Sequence, residues 1–204
     1  MIFFIFFNKY VKIILVIKIL FLPNMEKIYL NNLSKDDDKT KIVDSLLDGD
    51  SLNVEFYYKS DFTLTKDLRD FIEIIGRVFG FSEKLIARII LVSDELNNNA
   101  IEHGSDVNGI NILRLMIKRN GQKVDFNLEV EDNGKGKDAK KAIDMEELRA
   151  HKLKRGYSKH DSIRGRGLFL ITVQIVDRLY FKNSKNGGLI VGVKKEIYPK
   201  TDQF

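Results

Sequence analysis

Glu95 and Asn99 stand four residues apart, a spacing that on a helix stacks a carboxylate and a carboxamide one turn above the other, and His103 continues the same column. Such a pair can hold a water or a hydroxyl on the carboxylate while the amide oxygen ligates Mg²⁺, a hard cation that prefers oxygen donors. Taken alone, the column also reads as a solvated helix face. A second group is Asp132-Asn133-Gly134-Lys135-Gly136. Its glycines allow close backbone approach to a ligand, and an Asp at a strand end can accept a hydrogen bond from an exocyclic amine. The same residues are also good turn formers. The third group, Arg164-Gly165-Arg166-Gly167-Leu168, stands where a helix should open. Free N–H groups, the positive end of the helix dipole and two guanidinium groups make such a start a phosphate site, although a flexible basic loop has the same composition. It lacks the Gly-Lys-Ser/Thr of a P-loop.

These groups need elements to hold them. Leu64, Leu68, Phe71, Ile72, Ile75 and Phe79 recur at helical spacing and stop at Gly80. Ser82 opens a second helix, with the stripe Leu85, Ile89, Val92, Leu96 and Ala100 and a stop at Gly104. This second helix carries Glu95 and Asn99. Strands are predicted over residues 52–59, 110–118, 123–131, 179–182 and 189–197, with Asn120-Gly121 as a hairpin turn and Asn186-Gly187-Gly188 before the last strand. A third helix is predicted over residues 167–176. Residues 31–50 read as a polar connector with a short helix around Ile42 to Leu47. Antiparallel strands with helices gathered on one face give an α+β fold, a two-layer sandwich. The domain spans residues 52–199, preceded by a polar extension at 25–51 and an apolar leader at 1–24.

The chain has 204 residues, 44% of them hydrophobic, and no cysteine, which excludes disulfides, thiolate metal sites and a cysteine nucleophile. A reducing compartment suits such a chain, and the expected location is the cytoplasm. The formal charge is +5, but Lys9, Lys12 and Lys18 of the leader supply three of those charges; without them 31 basic residues face 29 acidic ones. That balance argues against direct nucleic-acid binding, which calls for a clustered basic face. Residues 1–22 hold sixteen Ile, Leu, Val and Phe. Their three lysines bring the free energy of membrane insertion close to zero. The leader therefore reads as a marginal membrane anchor, an amphipathic helix at the membrane surface, or a start mis-assigned ahead of Met25. A cleaved signal peptide fits worse, because its basic residues should precede the apolar run.

The order of the three groups, helix Glu-x-x-x-Asn, strand-end Asp-x-Gly-x-Gly and Gly-x-Gly at a helix start, resembles the ATPase superfamily that joins gyrase, heat-shock chaperones, mismatch-repair ATPases and histidine kinases. The similarity covers about residues 52–197 and implies the Bergerat-type ATP-binding fold. Within the superfamily, Glu95-Leu96-Asn97-Asn98-Asn99-Ala100-Ile101-Glu102-His103-Gly104 and Gly165-Arg166-Gly167-Leu168-Phe169-Leu170-Ile171 look most like the anti-sigma factor serine/threonine kinases. Most histidine kinases carry Asn where this chain has Glu95. None of His103, His151 and His160 stands on a preceding helical hairpin as a phosphoacceptor.

The resemblance implies ATP and Mg²⁺ as cofactors, with Asn99 on the metal, Asp132 on the adenine amino group, and Gly134, Gly136, Gly165 and Gly167 shaping the pocket. It implies Glu95 as general base toward a serine or threonine hydroxyl, Arg164 and Arg166 as cations near the phosphates, and residues 137–163 as a mobile lid. Lys137 departs from the apolar or acidic residue that the family often has there. The implied partners are a sigma factor and an antagonist protein carrying the acceptor, and the implied assembly is a homodimer. Two other readings stay open: an ATP-binding regulator that sequesters a partner without catalysis, and a detached histidine-kinase catalytic module.

Overall fold

The computed structural model describes residues 25–34, 36–155 and 175–199. Its sheet has strands β1 (Glu26–Tyr29), β2 (Leu47–Asp48), β3 (Ser51–Lys59), β4 (Ile110–Asn120), β5 (Lys123–Glu131), β6 (Arg178–Asn183) and β7 (Leu189–Ile197). The order is β1-β3-β4-β5-β7-β6, with β2 paired to β3 off this path. β1 runs parallel to β3 and every other pairing is antiparallel. The described helices are α1 (Lys39–Leu46), α2 (Thr65–Val78), α3 (Glu83–Asn99) and α4 (Ala142–Arg155). The expected sandwich with a mostly antiparallel sheet is therefore observed. Among the described residues no helix is long and apolar enough to cross a membrane.

Alternation decides which strand residues face the helices. Val54, Phe56 and Tyr58 of β3, Leu113 and Leu115 of β4, and Leu128 and Val130 of β5 are buried beneath Leu68, Phe71, Ile72 and Ile75 of α2 and Leu85, Ile89, Val92 and Leu96 of α3. Each fully buried side chain of this size stabilises the fold by about 2 kcal/mol before entropy is counted. Ser82 caps α3 by accepting the Leu85 N–H at 3.2 Å. Rotation of α3 is set by a buried polar trio: Tyr58 donates to Asn97 Oδ1 at 2.6 Å, and Asn97 Nδ2 donates to Ser93 Oγ at 3.1 Å.

Two parts differ from the sequence reading. The extension carries the short helix expected around Ile42 to Leu47, as α1, but is not simply a connector: β1 lengthens the sheet, and α1 packs on α2 through Lys39, whose ammonium reaches Asp67 at 2.6 Å and Asp70 at 2.7 Å. The segment expected to be a mobile lid, residues 137–163, contains α4, which buries Met145. Helix α4 docks on β6, where Arg149 Nη1 donates to the Leu179 carbonyl at 3.0 Å and the Ala142 N–H donates to Asn183 Oδ1 at 2.8 Å. The predicted helix over residues 167–176 falls outside the described residues up to position 174.

Candidate functional site

Helix α3 delivers Glu95 and Asn99, and after Asn99 the backbone widens into one π-type turn, Ala100–Gly104, closed by the Ser105 N–H on the Ala100 carbonyl at 2.8 Å. Single π turns inside α-helices often mark functional sites, because the extra residue re-aims the side chains around it. Ser105 then turns the chain back. Its hydroxyl donates to the buried Asn111 Oδ1 at 2.6 Å and accepts the Asn133 N–H at 2.9 Å. The Gly136 N–H donates to the Gly104 carbonyl at 3.0 Å. The loop Asp132–Gly136 is thus strapped to the end of the helix that carries Asn99, although β4 and β5 separate them in sequence.

A cavity of about 200 Å³ lies between the end of α3, the ends of β5 and β7, and α4. Its walls are largely apolar, with Leu96, Val130, Met145, Leu148, Leu189 and Val191, and its polar groups include Asn99, His103, Asp132 and Lys140. An apolar cavity with few polar anchors suits an aromatic ring system. A larger cleft of about 820 Å³ lies elsewhere and contains none of these residues; it includes Asn53, Met116, Asn127 and Lys194.

Asp132 is the anchor. Its Oδ1 accepts the N–H groups of Gly134 and Leu189, both at 2.9 Å. Its Oδ2 has no protein donor among the described residues and faces Gly104, where a Cβ would overlap the carboxylate. Burial raises the Asp132 pKa above the ordinary aspartate value; the two N–H bonds oppose that shift and the neighbouring Glu131 charge adds to it. The result is a buried carboxylate with one oxygen held by the protein and the other open to an amine of a bound ligand.

Asn99 lines the cavity with a defined amide orientation, since its Nδ2 donates to the Glu95 backbone carbonyl at 2.7 Å and leaves Oδ1 unengaged. An unengaged amide oxygen fits a Mg²⁺ ligand. Among the described residues no cluster of three or more His, Asp or Glu could hold a metal ion by itself. Glu95 stands one turn earlier, half-buried and outside the cavity wall. Burial pushes its pKa up, and the charges of Asp94 and Glu102 push it further. His103 is flanked by Asp138 at 3.5 Å and Glu102 at 3.7 Å.

Asn99 and Asp132, two of the residues singled out from sequence, are thus brought to one cavity. Gly134 and Gly136 are packed close by: Gly134, at φ +69°, leaves no room for a Cβ beside the Gly187 carbonyl, and Gly136 leaves none beside His103. Arg164, Gly165, Arg166, Gly167 and Leu168 lie outside the described residues. The sequence reading missed Met145 and Leu148 of the cavity wall and the part played by the Leu189 N–H. Ala142, Met145 and Leu148, spaced by three, were the available signal for α4, hidden among charged neighbours.

No curated protein matches the chain. The model of the histidine kinase-like ATPase domain family matches residues 59–195, well over half of the sequence, and the chain belongs to this family of ATP-binding domains.

Proposed function

We propose that the protein is a serine/threonine kinase of the anti-sigma factor type, which transfers the γ-phosphoryl group of ATP to a hydroxyl on an antagonist protein and thereby regulates a sigma factor. The observation that carries this reading is Glu95, a half-buried carboxylate with a raised pKa one turn from the free amide oxygen of Asn99. A base whose pKa lies nearer neutrality is better matched to taking a hydroxyl proton.

In the transfer, Glu95 accepts the proton of the serine or threonine hydroxyl as its oxygen bonds to the γ-phosphorus. The bond from that phosphorus to the β–γ bridging oxygen breaks, and ADP leaves. Asp132 would accept a hydrogen bond from the adenine amino group, and Asn99 Oδ1 would hold Mg²⁺, which when bound would supply neutralisation of phosphate charge. Such transfers depend chiefly on positioning and on electrostatic stabilisation, so the protein needs little covalent chemistry of its own. Arg164 and Arg166 are the proposed cations, residues 137–163 the proposed lid, and a homodimer the proposed assembly.

Incubation of the protein with Mg-ATP and candidate antagonist proteins, followed by mass spectrometry, tests this reading. A phosphoserine or phosphothreonine should form on one of them and disappear with Glu95→Gln, while ATP affinity changes less than about twofold, because Glu95 makes no ground-state contact with the base. Undiminished transfer by Glu95→Gln would remove Glu95 as the base. ATP binding with no product would favour a regulator that sequesters its partner, and an acid-labile phosphohistidine would favour a detached histidine-kinase module.

A further inference from the structure

At the end of β5 two consecutive carboxylates go separate ways. Asp132 faces the cavity, whereas Glu131 joins a network on the other face of the sheet, where it is 4% exposed. Arg114 Nη2 contacts Glu131 Oε2 at 2.6 Å, and Arg114 Nε donates to Glu55 Oε1 at 2.7 Å. Glu55 also accepts the Tyr57 hydroxyl at 2.7 Å. The other Glu131 oxygen accepts the Ser184 hydroxyl and, at 3.4 Å, Asn186 Nδ2. None of Glu131, Arg114 and Ser184 lines the cavity.

Ser184 belongs to the turn between β6 and β7, and this turn, together with the Gly134 N–H, orients Asp132. The Ser184 N–H donates to the Gly188 carbonyl at 2.8 Å, and the Gly187 N–H to the Ser184 carbonyl at 3.2 Å. From the same turn, the Leu189 N–H holds Asp132 Oδ1, and Gly188 is pressed so closely on the Asp132 backbone that a Cβ there would overlap its carbonyl. The turn is therefore fastened twice, to Glu131 on one face of the sheet and to Asp132 on the other. Loss of the Ser184 bond would weaken the fastening on the Glu131 face.

We propose that Glu131, clamped by Arg114 and Ser184, is a positioning residue that sets the base selectivity of the nucleotide site by holding Asp132 through the Ser184–Gly188 turn. The inference rests on the reading that Asp132 accepts the adenine amino group. Glu131 and Ser184 touch no ligand; they act through the turn. Their effect should therefore fall on discrimination by Asp132 and not on the parts of the site that hold phosphate.

Isothermal titration of the full chain with ATP and with inosine triphosphate, which has a carbonyl where adenine has its amino group, tests this. Ser184→Ala removes a part-buried hydrogen bond to a nearly buried carboxylate and should lower the melting temperature of the ligand-free protein by a few degrees, so the readout is the ratio of the two affinities and not stability. The substitution should weaken ATP binding about five- to tenfold, a part of what one hydrogen bond to a charged group is worth, while inosine triphosphate binding stays constant. Glu131→Gln should do the same or more, and Ser184→Thr, which restores the hydroxyl, should recover the wild-type ratio. An unchanged ATP preference in both Ser184→Ala and Glu131→Gln would overturn the proposal, as would equal losses for the two nucleotides, which would make the turn a wall and nothing more. Wild-type protein that binds both nucleotides equally would instead remove the assignment of Asp132 itself.

Discussion

Burial, two backbone N–H bonds and a neighbouring carboxylate act together on Asp132, and their balance leaves its pKa above the ordinary value. For an acid raised in this way, the contribution to folding stability is present below the unfolded pKa and is lost as pH rises through the folded pKa. At neutral pH the ionised group therefore costs the ligand-free protein some stability, which is the condition for having an acceptor ready for an amine. On protonation Oδ2 becomes a donor facing a donor. ATP affinity should then fall as pH drops through a value above the usual aspartate range, and titration calorimetry across pH would show it. Asp132→Asn should bind ATP about ten- to a hundredfold more weakly and with a flat pH profile, because the amide cannot keep the N–H bonds and an open acceptor together in the same way. An affinity that stays constant down to the ordinary carboxylate range would contradict this.

Among the elements, α4 closes one wall of the cavity, and the described groups that hold it include buried Met145, partly buried Ala142 and Leu148, the Arg149 bond to Leu179, and the Ala142 bond to Asn183. Met145→Lys places a charge where the cavity wall is apolar and should detach the helix. Hydrogen exchange over residues 142–155 should speed up markedly, and ATP binding should weaken by up to about thirtyfold, since a lost buried apolar side chain of this size is worth roughly 2 kcal/mol. Exchange that matches wild type would mean that Met145 is not what holds α4. Helix α3 is held differently. Tyr58, Asn97 and Ser93 satisfy one another in the core, and that fixes the rotation that presents Asn99 to the cavity.

Across the whole molecule the two faces of the sheet have different chemistry. The helix-covered face is apolar, whereas the opposite face carries Glu55, Arg114 and Glu131 in a nearly buried ion network. Burial alone would raise the Glu55 pKa, but the Tyr57 hydroxyl and the Arg114 guanidinium outweigh it and hold the pKa below the ordinary value. A lowered carboxylate contributes stability that is present above its unfolded pKa and is lost as pH falls through its folded pKa. Arg114→Ala leaves two carboxylates without their counter-ion and should destabilise the fold by about 3 kcal/mol in urea titration at neutral pH. Its acid unfolding limb should move to higher pH. Equal stability of the variant and wild type would show the network to be neutral.

The sequence by itself determined the helices that carry apolar stripes, the strands that alternate, the Asn120-Gly121 hairpin, and the Asn99 and Asp132 positions. Each is a local pattern: one buried face imposes a period of 3.6 or 2 on neighbouring residues, and a turn imposes its own residue types. The four-residue β1, whose parallel pairing with β3 has no local signature, came only from the tertiary structure, and so did α4, whose few apolar positions sit among charges. The same holds for the fastening of Asp132 by Leu189, fifty-seven residues away, and of Glu131 by Ser184, fifty-three residues away. Contacts at such separation depend on how strands are ordered in the sheet, and no short-range spacing encodes that order.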